Sequence, residues 1–204
     1  MRNDGHIAAL MQAMSEQRPP GAPSIMRLDR FDDRSFGRGR PAWVEALWLI
    51  CQACLLNSWL PGSAHRVLIL RLFGAKIGSG VVIKPHVRVK FPWRLVIGDY
   101  SWIGEDVWID NLAEVRIGSH CCLSQGVYLC TGSHDWASER FDLKTGPIVI
   151  GDHVWLCARS SAAPGVSIGD GAVLTMGAVA TRSLPSWYIH SGSPAEPSRP
   201  RVRM

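Results

Sequence analysis

The stretch 148–185, IVIGDHVWLCARSSAAPGVSIGDGAVLTMGAVATRSLP, limits what this chain can fold into more than any other part. From Ile150 an aliphatic or small residue returns at every sixth position: Leu156, Ala162, Ile168, Leu174 and Ala180. An amphipathic helix repeats its apolar residues roughly every 3.6 positions and a half-buried strand at every second one, so a strict six implies short strands turning at fixed corners. Each corner then points one residue inward. Gly and Asp directly after the aliphatic position, in Ile150-Gly151-Asp152 and Ile168-Gly169-Asp170, suit such corners. Gly tolerates turn dihedrals, and Asp caps neighbouring amides.

The period continues towards the N-terminus as Ile77, Ile83, Val89, then Ile97, Ile103, Ile109, then Ile117, Leu123, Leu129. Within each set the step is six and between sets it is eight, so one full turn takes twenty residues here and eighteen in the C-terminal part. Three strands per turn make a triangular prism whose coils stack at about 4.8 Å, each coil hiding its inward residues against the next. The expected fold is an all-β solenoid of about five coils behind an N-terminal helical segment.

The repeat, the interrupting segment Thr131-Gly132-Ser133-His134-Asp135-Trp136, and the endings Thr181-Arg182 and Ser191-Gly192-Ser193-Pro194-Ala195 together resemble the hexapeptide-repeat acyltransferases. Within them the likeness is to the acetyltransferases assigned to colanic acid biosynthesis, relatives of the maltose and galactoside O-acetyltransferases, and it runs from about Ala75 to Ala195. It implies a left-handed parallel β-helix, an exception to the right-handed crossover rule. It also implies a homotrimer with acetyl-CoA between subunits.

The pattern divides the chain into an N-terminal arm (1–40, partly disordered), an apolar helical segment (41–74), the β-helix (75–186, with a loop at 130–149) and a C-terminal tail (187–204). Residues 1–40 mix Arg, Asp, Pro and Gly without sustained periodicity. Residues 42–60, AWVEALWLICQACLLNSWL, read as one helix that packs over the end of the β-helix or lies at a membrane interface, ahead of spanning one, because Glu45, Gln52, Asn57 and Ser58 interrupt the apolar run. A shorter helix should follow over 64–73. Between Glu45 and Asp99 no acidic residue occurs, whereas Arg66, Arg71, Lys76, Lys84, Arg88, Lys90 and Arg94 do. Such a run fits an anionic membrane surface or a phosphate-bearing substrate, or equally a solvated basic face. No nucleic-acid motif accompanies it, so nucleic acid is not an expected partner.

Six cysteines and no cleavable signal pattern read as reduced thiols of a cytoplasmic protein, working in the cytoplasm or at the inner face of the membrane. Cys51-Gln-Ala-Cys54 has redox spacing without a thioredoxin context. Trp102, Trp108 and Trp155 each stand five residues after an aliphatic position and should line the outer face of the prism, where subunit packing, pantetheine or a sugar ring would cover them.

Between Leu129 and Ile150 the period breaks, and long excursions from a regular solenoid are usually functional. His134 lies where the excursion begins, and imidazole is the side chain best suited to removing a hydroxyl proton near neutral pH. A lone surface His also has a bland reading. The resemblance makes His134 the catalytic base of direct acetyl transfer to a sugar hydroxyl, with the Ala158 amide as oxyanion donor across the subunit interface. By the same resemblance Trp155, Ala158, the Met176 backbone, Thr181 and Arg182 contact the acetyl-CoA donor. Asp135 and Trp136 are placed near the acceptor, a sugar or glycan that is free, nucleotide-linked or lipid-linked; Asp135 fits a simple turn role equally well. No metal is implied. The departures are Glu196 where a basic residue often follows, shifting phosphate binding towards Arg199 or Arg201, and Gly104 where the sugar acetyltransferases carry a supporting Asn; Asn111 stands nearby.

Three other readings compete. A zinc enzyme of the γ-carbonic anhydrase type needs three converging His, and the seven His of this chain show no such spacing. A non-enzymatic assembly solenoid needs neither His134 nor Arg182. A sugar N-acyltransferase shares the donor but not the acceptor.

Overall fold

Aliphatic residues at six-residue steps become stacked columns. The computed structural model describes His6, Ile7, Met11, Gln12, Gly21 and residues 25–202. Residues 1–5, 8–10, 13–20 and 22–24 of the expected arm, 1–40, therefore lie outside the described residues. Two compact units emerge, Met1–Asp33 with Asp135–Asp142, and Arg34–His134 with Leu143–Met204.

In the larger unit three parallel sheets form the sides of a prism. The first stacks Lys76–Ile77, Leu95–Ile97, Val115–Ile117, Ile148–Ile150 and Ser167–Ile168. The second stacks Val82–Ile83, Trp102–Ile103, Cys122–Leu123, Trp155–Leu156 and Val173–Leu174, and the third Arg88–Val89, Trp108–Asp110, Tyr128–Cys130, Ser161–Ala162 and Val179–Ala180. Register pairs Ile77 with Ile97, Ile117 with Ile150, and Ile150 with Ile168, so each inward column is continuous. All fifteen residues of the sixfold series are buried. The reading of one inward residue per corner was too sparse, because the position two before each is buried as well, as Val107, Val127, Val154, Val166 and Ala172 show. The coil count also rises: after five complete coils Leu184 bridges Ile168 and Tyr188–Ser191 extends the second sheet, beginning a sixth turn. There His190, fully buried opposite Leu174, ends its column, and Glu196–Pro200 pairs antiparallel along the last edge.

The Gly-Asp corners form a ladder of their own. Asp170 Oδ1 accepts from the Asp152 amide (2.9 Å), Asp152 Oδ1 from Ser119 (2.7 Å) and Asp99 Oδ1 from Ser79 (2.7 Å). A Cβ on Gly151 would collide with the Asp170 carboxylate, which is why the residue beneath each capping Asp is Gly.

The helical segment closes the N-terminal end of the prism. Helix α1, Ala42–Cys51, continues as a π turn over Gln52–Leu56, and α2 spans Ala64–Leu72. The helix expected over 42–60 thus stops short of Asn57, where the chain curls around Arg66. The first coil has no coil before it, and an open strand edge leaves amides and carbonyls without partners. Side chains from the helices supply them. Trp48 Nε1 donates to Val89 O (2.8 Å) while Gln52 Oε1 accepts from Val89 N (2.7 Å). Ser63 Oγ accepts from Ile83 N (3.0 Å) and donates to Ile83 O (3.1 Å), and Arg71 donates to Ile77 O (2.7 and 3.1 Å) and Gly78 O (2.8 Å). Each of the three sheets is capped. Among the described residues no helix is long and apolar enough to cross a membrane.

This changes the meaning of the basic run. Arg66 is buried and donates to the carbonyls of Leu56 (3.1 Å), Leu60 (3.0 Å), Gly62 (2.5 Å) and Ser58; burial pushes its pKa down, and no carboxylate is needed because four carbonyl dipoles surround it. Arg94 likewise donates to Leu112 O and Gly37 O. Lys76, Lys84, Arg88 and Lys90 stay exposed.

Replacing Arg66 by Leu would leave those carbonyls unpaired in the turn that joins the two helices. The expected loss is about 3 kcal/mol, seen as a melting midpoint roughly 6 to 12 °C lower. A midpoint unchanged in calorimetry would show that the turn does not depend on the guanidinium.

Candidate active site

The excursion after Leu129 is a hairpin rather than a loose loop. Gly132–His134 pairs antiparallel with Leu143–Thr145, setting His134 opposite Leu143. Its root is pinned by buried Thr131, whose Oγ1 donates to Asp110 O (2.9 Å) and accepts from Ala113 N (2.9 Å), while its carbonyl accepts from Gly146 N (2.9 Å). His134 is half-buried on the outgoing strand of this rigid root.

The hairpin tip belongs to the smaller unit. There Asp135 Oδ1 accepts from Ala137 N (3.0 Å), the turn role that the sequence left open beside acceptor binding, and Ser138 Oγ donates to Asp142 Oδ2 (2.7 Å). Arg30 pairs with Glu139 (2.6 Å), and Arg27 N donates to Glu139 O (2.7 Å). Trp136 is exposed.

Ala158 and Met176 occupy the same corner of consecutive coils. The Ala158 carbonyl accepts from Gly177 N (3.1 Å), but the Ala158 and Met176 amides take no hydrogen bond among the described residues. Strand pairing skips this position, which falls at the turn between two strands. An unpaired amide held by rigid backbone is a ready oxyanion or carbonyl donor. Three residues before Ala158, Trp155 Nε1 donates to Ser124 Oγ of the preceding coil (3.0 Å), which locks an exposed indole on the outer face of the second sheet.

Register puts Trp102, Cys122, Trp155 and Val173 in one outward column there. Beside it lies a cavity of about 220 Å³ lined by Lys84, Trp102, Gly104, Glu105, Cys122 and Ser124 among others, a site the sequence reading missed. The signal was available, since Cys122 stands one coil after Trp102 by the twenty-residue period. Trp108 lies on the outer face of the third sheet, half-buried, stacked on Tyr128 (4.7 Å) with the Arg88 guanidinium over its ring (4.5 Å), so part of its cover comes from its own chain.

Thr181 and Arg182 are exposed just past the third sheet of the fifth coil, and Arg182 is ion-paired with Glu196. Arg201 is committed elsewhere, donating to His153 O (2.8 Å) and Gly171 O (2.9 Å), while Arg199 is exposed on the terminal strand. Asn111 is structural: buried, it exchanges both hydrogen bonds with the Phe91 backbone (2.9 and 2.7 Å). All six cysteines are free thiols. Burial, then the neighbouring Cys122, pushes the Cys157 pKa up and disfavours a nucleophilic thiolate.

Coil stacking brings His120 and His153 face to face (5.2 Å), with Tyr100 stacked on His120 (5.3 Å). The pair has no third partner, for no group of three His, Cys, Asp or Glu among the described residues is placed to hold a metal.

Residues 147–182 match the family described as hexapeptide repeat of succinyl-transferase. The chain is 46% identical over 167 residues to "Putative colanic acid biosynthesis acetyltransferase WcaF" of Escherichia coli strain K12, covering 81% of this chain and 91% of that one. In fold it is similar to a hexapeptide-repeat acetyltransferase of Vibrio cholerae solved with acetyl coenzyme A, at a TM-score of 0.75 and 22% identity, over 88% of this chain and 97% of that one. A galactoside acetyltransferase solved with coenzyme A gives a TM-score of 0.71 and 21% identity, over 79% and 82% of the two chains. The solenoid is thus the left-handed β-helix of these enzymes, and the chain belongs to the hexapeptide-repeat acetyltransferases.

Proposed function

We propose that this acetyltransferase moves the acetyl group of acetyl-CoA to a hydroxyl of a sugar, in the biosynthesis of an exopolysaccharide or surface glycan. The corner of the fourth and fifth coils carries the reading: the amides of Ala158 and Met176 are unpaired there, one coil beyond the hairpin root that holds His134. The likeness to a relative named for colanic acid biosynthesis, and to structures solved with acetyl coenzyme A and coenzyme A, supports the acceptor class and the donor.

In this reading the enzyme is a homotrimer, with His134 of one subunit facing Ala158 of the next. His134 takes the proton of the sugar hydroxyl and the oxygen attacks the thioester carbonyl carbon. The tetrahedral oxyanion accepts a hydrogen bond from the Ala158 amide; the C–S bond then breaks, and the thiolate takes the proton from the His134 imidazolium. No Ser or Cys nucleophile and no metal enter this sequence. The Met176 amide, Thr181 and Arg182 hold the pantetheine and nucleotide ends, Trp155 borders the thioester, and Trp136 with Asp135 meets the acceptor. The enzyme is cytoplasmic and makes a peripheral contact with the inner face of the membrane, and its acceptor is free, nucleotide-linked or lipid-linked.

His134→Ala is expected to retain assembly and CoA binding while turnover falls by about 10² to 10⁴, roughly 3 to 5 kcal/mol of barrier. Steady-state kinetics beside isothermal titration with CoA checks this, and transfer at the wild-type rate would remove His134 from the role of base.

Arg182 gives the contrasting case. Because Glu196 neutralises it in the free enzyme, Arg182→Ala should raise the KM for acetyl-CoA about tenfold with little change in kcat, and Glu196→Ala should lower KM. Equal KM values in all three proteins would place the donor phosphates elsewhere.

A further inference from the structure

Helix α1 has two apolar faces, and only one of them is used by the fold. Trp48, Gln52 and Leu56 face the prism, where Trp48 and Leu56 are fully buried and Gln52 bonds the Val89 amide. Trp43, Leu47, Ile50 and Cys54 follow one another at steps of four, three and four, the spacing of a single helical stripe. That stripe faces away from the prism: Trp43 is 69% exposed, Leu47 46% and Ile50 61%, and Cys54 is exposed too. Leu72 of α2 adds an apolar side chain that is 75% exposed. Between the helices lies a cavity of about 570 Å³ walled by Pro41, Trp43, Val44, Leu47, Leu72 and Phe73, with Arg40 on its lining.

The charges around this end that lack an ion-pair partner are cations. Lys76 precedes the capped residue Ile77, Lys84 follows the capped Ile83, and Arg88 and Lys90 flank the capped Val89, so exposed cations stand on all three sides of the first coil next to the helices. Lys90 reaches Asp110 (3.3 Å), whereas Lys76 and Lys84 have no carboxylate partner among the described residues. The one acid of α1, Glu45, is paired with Arg38 (3.0 Å). An apolar face rimmed by Lys, Arg and Trp and free of unpaired acid matches the boundary between headgroups and acyl chains, with cations meeting lipid phosphates.

We propose that the helical cap is a docking surface for an anionic phospholipid bilayer. Trp43, Leu47, Ile50 and Leu72 enter the interface, Arg40, Lys76 and Lys84 bind lipid phosphates, and the β-helix stands off the membrane. The inference gives the peripheral contact of the preceding section its residues, and it rests on that reading for the side of the membrane it faces. In a cyclic trimer the three caps share one side, so three weak contacts add.

The test is co-sedimentation of the full chain with vesicles, measured without donor or acceptor, so that its outcome is independent of acetyl transfer. Wild type is expected to bind phosphatidylglycerol-containing vesicles at low salt, to release them at high salt, and to leave pure phosphatidylcholine largely unbound. The pair Leu47→Glu with Ile50→Glu should weaken binding more than about tenfold, and Arg40→Glu with Lys76→Glu about fivefold or more per cation, with acetyl transfer to a soluble acceptor unchanged. Arg116→Glu, a substitution on the third coil, should bind as wild type does. Absence of binding to anionic vesicles, or binding indifferent to both pairs, would overturn the proposal. So would a fall in particle mass for the Leu47→Glu/Ile50→Glu protein in light scattering, since the face would then be covered by a second copy.

Discussion

Parallel stacking of coils is the constraint from which the rest of this structure follows. A strand in the middle of the prism finds its donors and acceptors on the coils before and after it, and its inward residue rests on the same residue of its neighbours. The first and last coils lack one neighbour each. At the C-terminal end the chain closes the gap with backbone, laying Glu196–Pro200 along Tyr188–Ser191 and ending a column on His190. At the N-terminal end it uses side chains: Trp48 and Gln52 serve Val89, Ser63 serves Ile83, and Arg71 serves Ile77. The helices are therefore part of the solenoid's hydrogen bonding. Their position also fixes which of their faces is left over, and that remaining face is the one that carries Trp43, Leu47 and Ile50.

The same constraint sorts the places where chemistry can occur. Inward positions are filled, and strand amides are paired to the next coil, so reactive groups must come from corners or from excursions. The corner bearing Ala158 and Met176 leaves its amides without a hydrogen-bond acceptor among the described residues, and the hairpin bearing His134 leaves the prism between the third and fourth coils. A single chain presents these groups at its surface, beside a column in which Trp102 and Trp155 are exposed and Cys122 half-buried between them. A second subunit that covered the column would bury it and enclose the amides together, which is the physical reason to read the active site as shared.

Much of this was legible in the sequence because burial itself is periodic. The spacing of Ile77 and Ile97 or Ile150 and Ile168 gives the strand register directly, and Asp99, Asp152 and Asp170, each after a Gly, announce the corner ladder. Other features were hidden for identifiable reasons. Hydropathy reports that 42–60 is apolar but cannot say that one face caps a strand edge while the other is exposed. Arg66 reads as one cation in a basic run, yet it is the buried centre of a turn, because carbonyl ligands leave no mark in the sequence. Trp102 and Trp108 share a repeat position, and the Tyr128 ring and Arg88 guanidinium on the coils beside Trp108 distinguish the covered one from the exposed one. His120 and His153 are stacked although thirty-three residues apart, because the hairpin inserts into the coil between them. The role of Asp135 in its own turn and the pairing of Arg182 with Glu196 likewise depend on side-chain geometry that spacing does not encode.

The central claim is that each active site is made by two subunits, His134 from one and the Ala158 amide from the next, and mixed assemblies test it most directly. Proline at 158 removes the amide, and the fold already carries Pro85 at the equivalent corner of the first coil, two residues past Ile83 as Ala158 is past Leu156. His134→Ala and Ala158→Pro proteins should each be nearly inactive alone. Unfolded together, mixed in equal amounts and refolded, they should recover about a quarter of the wild-type rate, because in a random cyclic trimer one interface in about four joins an intact His134 to an intact Ala158. A mixture that reassembles but stays as inactive as its components would contradict the shared site.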